Sequence, residues 1–138
     1  PPPAQVAPDH PLISPRSGTI DFAMFPAING PAVILPAAPI RLKFGKHQGP
    51  NWGFGYIHIW REHFTGVGDA EEAKREVIAL VESVLVDGAP IFYEIGRRAA
   101  IFRGSEGQVI VELRGTDEYS VVTAFKHANA KGSRIGAL

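Results

Sequence analysis

Three of the chain's five histidines, His47, His58 and His63, fall within seventeen residues. The stretch from Lys46 to His63 also holds both tryptophans, Trp52 and Trp60, and the glycines Gly49, Gly53 and Gly55. Imidazole changes charge near neutral pH, so these residue types suit either metal ligation or proton transfer.

Metal ligation is the less favoured of the two on spacing. His58 and His63 are five residues apart, about 140° around an α-helix. A helical zinc motif needs two histidines four apart, with a Glu directly after the first. Here Ile59 follows His58. A metal site would need His47 or His127 as a further ligand. No metal or cofactor is therefore expected.

Proton transfer fits better. RNA cleavage without metal needs a base for the 2′-hydroxyl, an acid for the leaving 5′-oxygen and donors around the phosphorane oxygens. His58 and His63 are candidates for the first two roles. Arginine suits the third, because its fork matches phosphate oxygens. Trp52, Phe54, Tyr56 and Trp60 offer aromatic surface for base stacking, although Trp60 and Phe54 read more simply as core. The Gly49-to-Gly55 run can let a phosphate approach the backbone, but it matches no nucleotide-binding motif. The bland alternative for any single His is a hydrogen-bonded core residue or a surface residue.

The elements that must hold these groups follow from patterning. Residues 1–40 carry ten of the twelve prolines, which argues against long helices and central strands there. Residues 1–15 read as a linker or extended arm. Residues 20–35 are too apolar to stay solvated and are expected to lie across the core. Ile40-Arg41-Leu42-Lys43-Phe44 alternates like a half-buried strand. A loop then runs from Gly45 to Gly53, followed by a turn or helix over Phe54–Phe64. Asp69 with Glu72 forms a capping signal, and an amphipathic helix over about 70–86 presents Val77, Leu80, Val81, Val84 and Leu85 on one face. Four strands at period two follow, over 91–95, 98–103, 108–114 and 119–125, joined by hairpin-length turns. The tail, 126–138, is polar and basic.

The expected fold class is α+β, with an N-terminal irregular and helical part packed on a C-terminal four-stranded antiparallel sheet. The expected division is a Pro-rich arm, residues 1–39, partly packed on a domain spanning 40–138. The 138-residue length suits one domain with a hydrophobic core. The absence of cysteine excludes disulfides and thiolate chemistry. No apolar run is long enough to span a bilayer. The chain begins at Pro1, so a segment of a longer polypeptide is expected. Net charge is zero. Basic residues nevertheless gather in 41–64 and 96–138, and they can bracket an anionic ligand.

The block from Gly53 to His63, GFGYIHIWREH, resembles the GxGxxHIxxxH signature of the superfamily that groups barnase, EndoU-type nucleases, colicin-type tRNases and RelE. The closest likeness is to its phage and polymorphic-toxin branches. The likeness covers roughly residues 40–127. It implies helices before a four-stranded antiparallel sheet, and a metal-independent ribonuclease with no cofactor. It implies catalytic roles for His58, His63, Arg103 and Thr123. One histidine would act as base and the other as acid or orienting group. Arg103 would stabilise the phosphorane and Thr123 would donate to it. Lys46, His47, Lys126 and Trp52 are the expected substrate-binding residues. The product would be a 2′,3′-cyclic phosphate. The chain would be the C-terminal toxin domain of a bacterial delivery protein, secreted or delivered into the target-cell cytoplasm. Its partners would be RNA, with tRNA as a candidate, and a cognate immunity protein. Two alternatives stand beside this reading. One is a non-catalytic adaptor of a phage or secretion apparatus, docking by its Pro-rich arm. The other is an ADP-ribosyltransferase-like toxin that uses NAD, with Glu112 or Glu118 as the catalytic acid.

Overall fold

A computed structural model describes residues 6–50, 52–66, 68–126 and 132–138. Short strands come first: β1 (Ala23–Phe25), β2 (Ile28–Asn29), β3 (Ile34–Leu35) and β4 (Ala38–Arg41). A hairpin of β5 (Lys46–Gly49) and β6 (Trp52–Phe54) leads into helix α1 (Gly55–Ile59), a π-helical turn (Trp60–Phe64) and helix α2 (Ala70–Val84). The chain then forms β7 (Pro90–Ile95), β8 (Arg98–Arg103), β9 (Gly107–Arg114), β10 (Glu118–Phe125) and β11 (Arg134–Ala137). Among the described residues no helix is long and apolar enough to cross a membrane.

The α+β class holds, but the sheet is larger than four antiparallel strands. It has seven strands in the order β1-β4-β10-β9-β8-β7-β11. The expected meander, β7 to β10, forms its centre. β4 extends it by pairing parallel to β10, and β1 pairs antiparallel to β4. The tail adds β11 antiparallel to β7. The expected strand over 40–44 is β4, shifted to start at Ala38 and end at Arg41, whereas β1 and β11, at three and four residues, carry little period-two signal and were hidden in the sequence. Pro39 is tolerated inside the sheet because the ladder to β10 begins at Ile40, one residue later. The expected boundary between residues 39 and 40 falls inside β4.

Part of the expected arm is also tied down. Leu12 and Ser14 are buried, and Pro11 bridges to Lys43. Ser14 Oγ donates to Glu82, and Arg16 Nη1 and Nη2 donate to the carbonyls of Glu82 and Leu85. Those carbonyls belong to the last turn of α2, where no intrahelical partner exists. At the other end of α2 the Asp69 carboxylate accepts from the Glu72 amide at 2.8 Å, as the capping signal predicts. The apolar stripe of α2 (Ala73, Val77, Ile78, Leu80, Val81 and Val84) is buried. It packs toward β8, β9 and β10, whose Ala99, Ile101, Val109, Val111 and Val121 complete the core.

β10 joins the two parts of the sheet. Tyr119, fully buried, stacks on Phe25 at 4.1 Å and donates to the Pro36 carbonyl at 2.7 Å. Glu118 receives Arg41 at 2.9 Å and Lys43 at 2.6 Å, and Arg41 also reaches Asp21 at 2.9 Å. Burial pushes the Glu118 carboxyl upward. Hydrogen bonds and charge from Lys43 and Arg41 outweigh that and hold it below its ordinary value of 4.5. The native state therefore holds this proton less readily than the unfolded chain. The stability it contributes is present above 4.5 and is lost as pH falls through the lowered native value. The wild-type melting temperature should drop more steeply than that of Glu118→Gln over this acid range. Parallel melting curves for the two proteins would remove the clamp from this account.

Candidate active site

The site is built on a close crossing of backbones. Helix α1 has no side-chain cap. Its first amides are satisfied by backbone instead: Tyr56 donates to the Lys43 carbonyl at 3.0 Å and Ile57 to that of Phe44 at 2.9 Å. This brings Gly55 onto Gly45. A Cβ on Gly55 would stand 2.6 Å from the Lys43 oxygen and 2.9 Å from Gly45 Cα. A Cβ on Gly53 would stand 2.8 Å from His58 Nδ1. Gly45, Gly53 and Gly55 all have positive φ, at 82°, 143° and 78°. The motif glycines thus admit protein atoms: the helix backbone and the His58 ring occupy the room that the sequence offered to a phosphate.

His58 is 3% exposed. Both of its ring nitrogens are engaged. Nδ1 lies 3.0 Å from His47 Nδ1, and Nε2 lies 3.4 Å from Glu62 Oε1. His47 and His58 stack with ring centres 5.2 Å apart. Burial holds the His58 imidazole below its ordinary 6.5; Glu62 pulls it up, and His47 and His63 add to the lowering.

His63 joins the same cleft, against the expectation from α-helical spacing. Residues 60–64 are π-helical, with bonds between residues five apart, so positions 58 and 63 come round to one side. The exposed His63 ring leans on Phe125, with centres 5.7 Å apart. The cleft, of about 350 Å³, is lined by His58, Glu62, His63, Glu94, Arg98, Ile110, Val122, Thr123 and Phe125.

Thr123 reaches the cleft through a bulge. The β9–β10 register shifts between Val121 and Thr123. Tyr119 and Val121 face the core before the shift, and Ala124 does after it. Unbroken alternation would turn Thr123 to the core; the extra residue turns it and Phe125 to the cleft.

The expected basic groups lie elsewhere. Arg103 shares the strand parity of core residues Ala99 and Ile101, and its Nη1 donates to the Ser83 carbonyl of α2 at 2.6 Å. Lys126 lines a separate depression with Glu76, Ser83 and Glu106. Lys46 and Trp52 sit exposed on the β5–β6 hairpin, outside the cleft lining. His47 backs His58 without lining the cleft. His127 lies outside the described residues.

The cation in the cleft is Arg98, on the other face of β8, paired to Glu112 at 2.7 Å. Its parity opposite Arg103 was readable from the strand pattern. Glu62, four residues after His58, was readable as its helical neighbour. The two acids considered for NAD chemistry are both in ion pairs, Glu112 with Arg98 and Glu118 with Arg41 and Lys43. Comparisons with protein-family models, curated proteins and solved structures found no match.

Two outcomes follow from the packing of His58. Gly53→Ala should cost about 1–3 kcal/mol in denaturant unfolding, because it strains φ, strikes the Lys46 carbonyl of the neighbouring strand and crowds the His58 imidazole. In an NMR titration of the wild type, the His58 ring should titrate below 6.5. The unfolded chain takes up this proton more readily, so stability rises with pH from the native value to 6.5. A His58 midpoint at or above 6.5 would contradict the buried, neutral imidazole.

Proposed function

We propose that the protein is a metal-independent ribonuclease that cleaves by attack of the 2′-hydroxyl, leaving a 2′,3′-cyclic phosphate and a 5′-hydroxyl. The observation that carries this reading is one cleft lined by two imidazoles, a carboxylate, a guanidinium and a hydroxyl: His58, His63, Glu62, Arg98 and Thr123. The resemblance of the Gly53–His63 block to the barnase, EndoU, colicin-tRNase and RelE signature supports the same chemistry.

Access to the cleft supports a division of roles. Glu62 takes the proton of the 2′-hydroxyl as its oxygen attacks phosphorus. His63, exposed at the cleft, gives a proton to the departing 5′-oxygen. His58 has both nitrogens engaged, so it is a positioning residue that holds Glu62 from behind. Arg98 offsets the charge on the phosphorane, and Thr123 donates to a non-bridging oxygen. Arg98 thus takes the part that the sequence reading gave to Arg103. Within this reading the chain acts as the toxin domain of a bacterial delivery protein in the cytoplasm of a target cell. RNA, with tRNA as a candidate, is its substrate, and an immunity protein that covers the cleft protects the producer.

The test is incubation of the purified chain with total RNA in EDTA. Fragments ending in cyclic phosphate are expected. His63→Ala and Glu62→Gln should each slow cleavage by about 10²–10⁴-fold. Thr123→Val and Arg98→Ala should slow it by about 10²-fold, while Arg103→Ala should leave it unchanged. RNA that stays intact with and without EDTA would sink the proposal, as would full activity in the His63→Ala, Glu62→Gln double variant.

A further inference from the structure

His47 and His58 meet through like atoms, their Nδ1 nitrogens, at 3.0 Å. Without a metal, one of these nitrogens must carry hydrogen toward the other. With a metal, both present lone pairs, and imidazole lone pairs are favoured ligands of zinc-class ions. Glu62 adds a carboxylate. One ligand atom from each of His47, His58 and Glu62 lies within 4.8 Å of the other two. Tetrahedral zinc, with bonds of 2.0–2.1 Å, spaces its ligand atoms ~3.3 Å apart. The two nitrogens already approach that spacing; Glu62, against His58 Nε2 at 3.4 Å, must turn toward the Nδ1 side to complete the set.

The two nitrogen donors sit on fixed elements. His47 belongs to β5, and His58 is buried against Gly53 of β6. Ligands held in place before the ion arrives lose little freedom on binding it. Two imidazoles and one carboxylate match a three-ligand zinc set with an open fourth position. This cluster uses a fold-level approach of His47 to His58 that the helix spacing alone did not offer.

We infer that His47, His58 and Glu62 form a binding site for a divalent transition-metal ion of the zinc class, and that its occupancy silences RNA cleavage. The second half rests on the proposed ribonuclease reading. A cation bound to one Glu62 oxygen lowers the basicity of the whole carboxylate and turns it toward His47 and His58, so it is a poorer and misplaced base for the 2′-hydroxyl proton.

The full chain, stripped of metal with a chelator that is then removed, is titrated with Zn²⁺ against a chromophoric zinc indicator. One ion per chain should bind saturably. His47→Ala and Glu62→Gln should each weaken binding by at least about tenfold, and His63→Ala should bind as the wild type does. RNA cleavage by the wild type should fall in step with zinc occupancy. In His47→Ala the zinc concentration that halves cleavage should rise by the same factor as the dissociation constant. Absence of saturable binding in the wild type would overturn the site, as would wild-type affinity in both His47→Ala and Glu62→Gln. Cleavage that rises with occupancy would overturn the inhibitory role. A chain that cuts no RNA under any condition would remove the ribonuclease reading, and the indicator titration would still judge the metal site.

Discussion

The crossing of helix α1 over residues 43–47 is the constraint on which the rest of the site depends. The helix has no polar side chain at its cap, so its first amides need acceptors from elsewhere. The carbonyls of Lys43 and Phe44 supply them. That arrangement forces two backbones to within contact distance, which Gly45 and Gly55 permit and a side chain would prevent. It also presses His58 against Gly53 and His47. Burial then lowers the His58 imidazole and leaves it neutral, so it acts as a fixed, hydrogen-bonded spacer between His47 and Glu62.

The opposite wall of the cleft depends on β10, which serves two structural purposes at once. Its start is held to β4 by the Glu118 ion pairs and by Tyr119. Its end carries the bulge that turns Thr123 and Phe125 outward. A bulge disrupts the ladder and bends the strand, and here the strand is anchored on both sides where it begins. The aimed hydroxyl and Phe125 therefore share one wall, and the exposed His63 ring of the helical side rests on Phe125. On the helical side, the π-helical turn does the equivalent work. It rotates residues 58 and 63 toward a common opening that an α-helix would have denied them.

The electrostatics of the cleft are balanced rather than strongly basic. Arg98 lines the cleft with Glu94 and is paired to Glu112, and Glu62 lies 3.4 Å from the His58 imidazole. Such a site depends on placement more than on a broad positive field. A site of this kind is compatible with the chain's zero net charge. The cations expected from the sequence, Arg103, Lys126 and Lys46, lie outside the cleft lining, with Arg103 bound to the α2 backbone at Ser83.

Periodicity and turn chemistry alone determined much of this protein. The α+β class, the amphipathic helix with its Asp69 cap and the central four strands were all readable, because each has a strong local signal. The histidine-rich block was also readable as the place to look for chemistry. Strand parity even held the information that Arg98, not Arg103, faces away from the core. Only the tertiary structure decided the rest. β1 and β11 are too short for periodicity to reveal them, and the place of β4 beside β10 was not readable from its alternation; all three join the sheet because neighbours offer them a ladder. The bulge in β10 and the π-helical turn each depart from the regular period: α-helical spacing set His63 apart from His58, and the bulge that aims the expected Thr123 at the cleft was not readable. The approach of His47 to His58 comes from a hairpin folding back on a helix. No spacing along the chain encodes that contact, because it is made by packing between elements and not by the repeat within either one.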